Sequence, residues 1–320
     1  MPSSTPNLPQ LHSRRPFLTE GGLETALVYQ HGYDLPSFAS WPLLSSPAGC
    51  AILRELHSSY VHIAQSHQTG IVLETQTWRA SEPWMRIIAP GEDPKAKVRS
   101  VTSDTVALLK SIRAELATEL CPIVISGCLG PLGDAYKLSA TQDLQVFTDG
   151  YAELVRCLAD AGVDMLSLMT TSNIVEATAA ATLAREAGLP ILISFGVETD
   201  GALLGGMPLE EAIAQVDAAT GAYPVYFGVN CAHPEHFLPV LRRMDARVRG
   251  RIGCLRANSS QKSHAELDNS ATLDRGDVAA LARTHTELLS LLPGLKVVGG
   301  CCGTDEEHVS AIADVVLGPA

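Results

Sequence analysis

Two cysteines stand side by side between glycines in VVGGCCGTDEEHV, residues 297–309, directly after a short apolar run. Neighbouring thiols there can pack as small hydrophobes, form a strained disulfide, act as a redox couple or hold a metal ion. Cys301 and Cys302 at the solvent end of a strand would bury little apolar surface, so their placement favours metal binding. The other readings stay open. A third thiol, Cys231, closes another apolar run in GVNCAHP, residues 228–234. Soft sulfur ligands suit zinc, and three of them would leave the ion a vacant position, as in catalytic rather than structural zinc sites. His233 and His236 lie close by, but His233 is placed to cap a helix opened by Pro234 and His236 falls one turn further in. Neither is expected as a ligand, since Cys231 already serves that loop. Cys50, Cys121, Cys128, Cys157 and Cys254 are expected to be buried free thiols.

Sulfurs so far apart in the chain meet only if the fold brings their loops to one rim. Eight apolar runs able to form buried strands recur: RPFLT, TGIVLETQTW, PIVISGCLG, VDMLSLMT, LPILISFGV, AYPVYFGVNC, RIGCLRAN and LKVVGGCC. Stretches of helical period lie between them, among them AILRELHSSYVHIAQ, TDGYAELVRCLADAG and PLEEAIAQVDAAT. Strand followed by helix, eight times, implies a parallel sheet with crossovers, and eight units fit a closed (β/α)8 TIM barrel, an α/β fold. Gly162 reads as a helix-terminating glycine, Asn173 with Glu176 as an N-cap and its partner, and Thr304 with Glu307 as a capping box. In this fold chemistry gathers on the loops after the strands. TEGGLET, ETQTW, GCLGPLGD, GVNCAHP, RANSS and GGCCGT all fall there.

One barrel domain is expected over residues 16–320, after a loose Pro- and Ser-rich tail over 1–15. The segment 81–97, with three prolines and several charges, reads as a loop at the mouth or flank. With 23 basic and 35 acidic residues, the net charge of −12 argues against nucleic acid or an anionic membrane as partner. No apolar run is long enough to span a bilayer. SRRPFL at 13–18 looks like the start of a twin-arginine signal, but the glutamates of TEGGLET follow where an apolar run would be required. Scattered thiols in a long chain fit a cytoplasmic protein. The sequence carries no signal of an oligomeric state.

GVNC and GGCCGT, together with TEGGLET, SGCLGPLGDAY, AGVDMLSL and SFGVETDGALLGG, resemble the homocysteine S-methyltransferase family over nearly the whole chain after the tail. The resemblance implies a (β/α)8 barrel holding zinc (Zn2+) on Cys231, Cys301 and Cys302. It also implies methyl transfer from a small-molecule donor to the thiol of homocysteine, giving methionine. The chemistry suits the ligands, because a free thiol of pKa about 8.5 is only slightly ionised at neutral pH and coordination deprotonates it. An onium donor resembling S-methylmethionine, S-adenosylmethionine or betaine is expected, since no cobalamin-binding module is visible.

The chain departs from the family pattern twice. Glu20 replaces the aspartate before the first glycine pair, which keeps the charge. Met169 stands where the family carries a glutamate that helps hold the amino acid's ammonium. Either another carboxylate substitutes or the acceptor is a different thiol or selenol. Glu198, Asp200, His264, Glu266 and Asp268 are the candidates on that rim. Asn258 matches the family's strand-seven asparagine and is expected to orient substrate, and Thr75 and Thr77 match polar positions at strand two. Two other classes compete. One is a phosphate-binding TIM-barrel lyase or isomerase, with Lys262 as its only well-placed Schiff-base lysine. The other is a non-catalytic zinc store or thiol redox sensor.

Overall fold

The computed structural model describes residues 7–139, 141–268 and 270–320. Each of the eight apolar runs contains one strand: β1 (Phe17–Thr19), β2 (Ile71–Glu74), β3 (Ile123–Leu129), β4 (Met165–Thr171), β5 (Ile191–Gly196), β6 (Tyr226–Ala232), β7 (Ile252–Ala257) and β8 (Val297–Gly300). They pair in parallel, in chain order, and β1 closes on β8 through Phe17 with Val297 and Leu18 with Val298. The architecture is the expected (β/α)8 barrel, its strands sheathed by helices on the outside and packed on both faces, which is why they read as near-continuous apolar runs.

Side chains that point inward fill the barrel in layers, because alternate residues of a strand share a face. The lowest layer is apolar: Phe17, Val72, Val124, Met165, Leu192, Tyr226, Cys254 and Val297 form one buried cluster. Two residues further along each strand the layer changes character. It holds Thr19, Ser126, Ser167, Ser194, Gly228 and Gly299, with Glu74 and Arg256 as its two large members. The next positions up, Cys128, Met169, Asn230, Asn258 and Cys301, reach the C-terminal rim and line a cleft.

Several local expectations need correction. The described part of the supposed loose tail is ordered: Pro9–His12 is a helical turn, and Leu8 joins the lowest apolar cluster. Gln10 is fully buried, with Nε2 3.3 Å from Met165 Sδ and 3.4 Å from Tyr226 Oη. The turn therefore plugs the barrel's N-terminal end; residues 1–6 lie outside the described residues. The segment 81–97 is largely helical, with a helix Glu82–Ile88 and the start of a long one, Pro94–Leu116. Pro83 and Pro94 occupy first turns, where a missing N–H costs nothing, and Pro90 lies in the turn between the two helices. Asn173 does cap the helix Ile174–Glu186, but Glu176 turns inward to the Leu132 N–H and the Tyr151 hydroxyl. The final helix is capped one residue later than expected, by Asp305 with His308, because the Thr304 hydroxyl is bonded to the Cys301 carbonyl. Gly162 ends its helix in the left-handed region, and His233 caps the helix Pro234–Arg243, both as expected. Among the described residues no helix is long and apolar enough to cross a membrane.

Candidate metal centre

Cys231 lies near the end of β6, and Cys301 and Cys302 follow β8 directly. One strand separates the two chain segments, yet the three Sγ atoms all lie within 4.8 Å of one another. Cys231 Sγ is 2.6 Å from Cys301 Sγ and 3.8 Å from Cys302 Sγ. A tetrahedral zinc with Zn–S bonds near 2.3 Å separates its sulfurs by about 3.8 Å, which the Cys231–Cys302 pair matches, whereas the Cys231–Cys301 pair is closer and must spread to admit the ion; the donor type suits zinc.

Local backbone features aim these sulfurs. Cys231 adopts φ +54°, and the register of β6 against β7 shifts between Asn230 and Ala232. Thr170 on β4 adopts φ +63°, at a similar shift against β5. Left-handed backbone is costly for a β-branched residue and persists only where its surroundings hold it. Asn230 does so: its Oδ1 accepts from the Thr170 N–H at 3.0 Å and from Ser194 Oγ at 2.7 Å, while its Nδ2 donates to Thr170 Oγ1 at 2.7 Å. Such bulges beside a site re-aim one side chain, here the Cys231 thiol. On the other side the Cys301 N–H donates to the Ala257 carbonyl and the Ser259 N–H to the Cys302 carbonyl, tying the CCGT turn to β7. Gly303 sits at φ +81°, and a side chain there would strike the Ser259 hydroxyl.

The charge is shared unequally. Hydrogen bonds from Cys231 and Cys302, with Arg256 nearby, hold the Cys301 thiol well below its ordinary range. The same contact with Cys301 pushes Cys231 up to about 12, and Cys302 is also raised, chiefly by Cys231. Three like charges in so small a volume cannot all form unaided. A divalent cation removes that restriction.

The sulfurs open onto a cleft with a cavity volume of about 910 Å³. Glu20, Thr75, Asn258, His264 and Asp268 line it, while Glu198, Asp200 and Glu266 do not. Glu266 is exposed and engaged in a capping box with Ser263. Glu20 is buried with its Oε1 2.6 Å from His57 Nδ1, and the Glu74 N–H donates to its carboxylate. Thr75 accepts from the Cys128 N–H and touches Thr77, so both hydroxyls close the β2 turn. Asn258 Oδ1 is buried with no hydrogen-bond partner among the described residues, which leaves it free for a ligand. His264 stacks on Tyr136, ring centroids 3.3 Å apart, and both line the cleft together with Cys231. The Lys262 ammonium is paired with Asp274 at 3.0 Å.

Met169 lines the cleft and is buried. Sequence reasoning missed the acids that accompany it, Glu24 and Glu74, and also Arg256, Asn230 and Tyr136. Glu24 is raised by burial despite accepting from Ser40. Burial raises Glu74 to about 7, with Ser167 Oγ donating to it at 2.6 Å. The available signal was strand parity. Glu74 and Arg256 occupy inward positions of otherwise apolar runs, where a charge requires a partner.

The family model described as homocysteine S-methyltransferase matches residues 17–316. A selenocysteine methyltransferase from Astragalus bisulcatus is 24% identical over 321 residues, covering 92% of this chain and 91% of that protein. A methionine synthase from Mycobacterium leprae is 26% identical over 228 residues, 69% of this chain. The matched region spans only 18% of that protein and of a second mycobacterial methionine synthase. The solved structure of the metallated form of the Escherichia coli homocysteine methyltransferase MmuM superposes with a TM-score of 0.72 at 21% identity, covering 93% of this chain and 95% of that one. The match to the family model over nearly the whole chain, the closed barrel and the cysteines at the ends of β6 and β8 lead to one assignment: the chain belongs to the homocysteine S-methyltransferase family.

Proposed function

We propose that this chain is a zinc-dependent S-methyltransferase that moves a methyl group from an onium donor to the thiolate of homocysteine, giving methionine. The observation that carries the reading is the convergence of Cys231, Cys301 and Cys302 at the wall of a cleft large enough for two small substrates. Cys231, Cys301 and Cys302 would hold the zinc, which would supply Lewis acidity that favours the thiolate form of the acceptor. Everything else falls to the chain's own groups. The acceptor sulfur attacks the donor's methyl carbon in line; the new S–C bond forms as the C–S or C–N bond to the onium breaks, and its electron pair leaves with the neutral product. Catalysis is then chiefly the positioning of two reactants. Asn258 Oδ1, unpartnered at the rim, is placed to orient a bound amino acid. The acids of the cleft wall, among them Glu24, Asp34, Asp134 and Asp268, suit a cationic donor.

A second acceptor class has its own support. Met169 offers no charge for an ammonium, and the Astragalus relative acts on selenocysteine, so a different thiol or a selenol fits the same centre. Against the lyase or isomerase reading, Lys262 does not line the cleft and its ammonium pairs with Asp274. The test is a methyl-transfer assay over onium donors and over homocysteine, cysteine and selenocysteine acceptors, with metal content measured on the same sample. Transfer to homocysteine by a zinc-loaded protein is expected. Zinc-loaded protein inert on every pair would overturn the proposal.

A further inference from the structure

The layer directly beneath the sulfurs is built around one cation. On six strands its inward residues are small, Thr19, Ser126, Ser167, Ser194, Gly228 and Gly299, which leaves room for Glu74 from β2 and Arg256 from β7 to cross the barrel interior. Arg256 Nε donates to the Gly300 carbonyl at 3.0 Å, the peptide that leads into Cys301. Its two terminal nitrogens make no hydrogen bond among the described residues. They stand 3.8 Å from the carboxylates of Glu20 and Glu74. Charge-assisted hydrogen bonds run to about 2.7–2.9 Å, so neither acid is bonded directly to this guanidinium, and its side chain is part of the cleft wall.

We propose that Arg256 is a positioning residue for the thiolate cluster, supplying the countercharge beneath it and fixing, through Gly300, the segment that carries Cys301 and Cys302. The inference rests on the zinc reading above. Three thiolates around a divalent cation carry a net negative charge, and an incoming acceptor thiolate adds another. Held in a largely buried cleft wall, that charge is costly without a nearby cation. Groups just outside the ligand shell that orient or balance ligands typically change metal affinity by about 10–100-fold when removed.

The competing explanation is that Arg256 only neutralises Glu20 and Glu74. Zinc affinity separates the two, measured by competition with a chromophoric chelator on full-length protein whose fold is checked by circular dichroism. Arg256→Met alone strands two buried acids, so the double variant Glu74→Met/Arg256→Met is measured beside it. Zinc binding weaker by about 10–100-fold is expected in both, with Arg256→Lys recovering most of the loss and Glu74→Gln binding at least as tightly as the native protein. A double variant that folds and binds zinc as tightly as the native chain overturns the inference. Loss of fold in both methionine variants also overturns it, since the pair then serves folding. If the native protein itself takes up no zinc, the functional reading fails, and that result is distinct from either.

Discussion

Cys231 and Cys302 are 71 residues apart in the chain and 3.8 Å apart at their sulfur atoms, the spacing two ligands of a tetrahedral zinc require. The parallel pairing of β6 and β8 on either side of β7 produces that approach, because the three strands end on one rim. Cys231→Ser or Cys302→Ser is expected to lower zinc affinity and methyl transfer by more than about 100-fold while leaving the far-ultraviolet spectrum native. Metal analysis after dialysis, alongside the transfer assay, checks this. Full metal occupancy in either variant would count against the ligand assignment.

Asn230 is the brace behind Cys231. Removing its side chain leaves the N–H of left-handed Thr170 on β4 and the buried Ser194 hydroxyl on β5 without their acceptor. Asn230→Ala is expected to cost about 2 kcal/mol of stability and to weaken zinc binding as well. Denaturant midpoint and chelator competition give the two readouts. A variant with both unchanged would show that the bulges hold themselves.

Arg79 is clamped between Trp78 and Trp84, its guanidinium carbon 3.9 Å from each ring centroid, and donates to the carbonyls of Pro131 and Gly133. It thereby ties the β2 loop and the helix Glu82–Ile88 to the loop that carries Tyr136. Arg79→Met is expected to cost about 2 kcal/mol and to red-shift tryptophan emission, with Arg79→Lys a poor rescue because an ammonium lacks the flat stacking surface. Emission identical to the native protein would contradict the clamp.

His285 introduces a pH dependence remote from the cleft. It is buried in the helix Val278–Leu291, Nδ1 donates to the Leu281 carbonyl, and Nε2 has no partner among the described residues. Burial lowers its pKa from 6.5 to about 4, and His233 is the titratable neighbour that acts in the same direction. Between those values the unfolded chain binds the extra proton. Stability from this group is therefore complete above pH 6.5 and falls, by about 3 kcal/mol in all, as pH drops to 4. Unfolding measured from pH 7.5 to 4 should show a shallower decline in His285→Gln. An equal decline in both proteins would remove His285 as the cause.

The strands and the three sulfurs were legible because each rests on a short-range pattern: an apolar run, a glycine-flanked pair, a polar turn after a strand. What escaped depends on where a side chain turns. The Glu176 pattern reads as a cap, yet its carboxylate is claimed by Tyr151 and Leu132 from other elements. Thr304 reads as a cap, yet the Cys301 carbonyl takes its hydroxyl and moves the cap to Asp305. The Pro- and Ser-rich start reads as loose, yet Leu8 and Gln10 find the open end of the barrel. Glu198 and Glu266 were placed at the cleft by loop position alone, whereas Glu74 and Arg256, one layer down, meet only after closure.

The most direct test is stepwise removal of metal from the purified protein, following free thiols and methyl transfer to homocysteine together. The account predicts that three thiols become titratable as one zinc per chain is lost, that transfer falls in proportion, and that added zinc restores both. Undiminished transfer by the metal-free protein would contradict it.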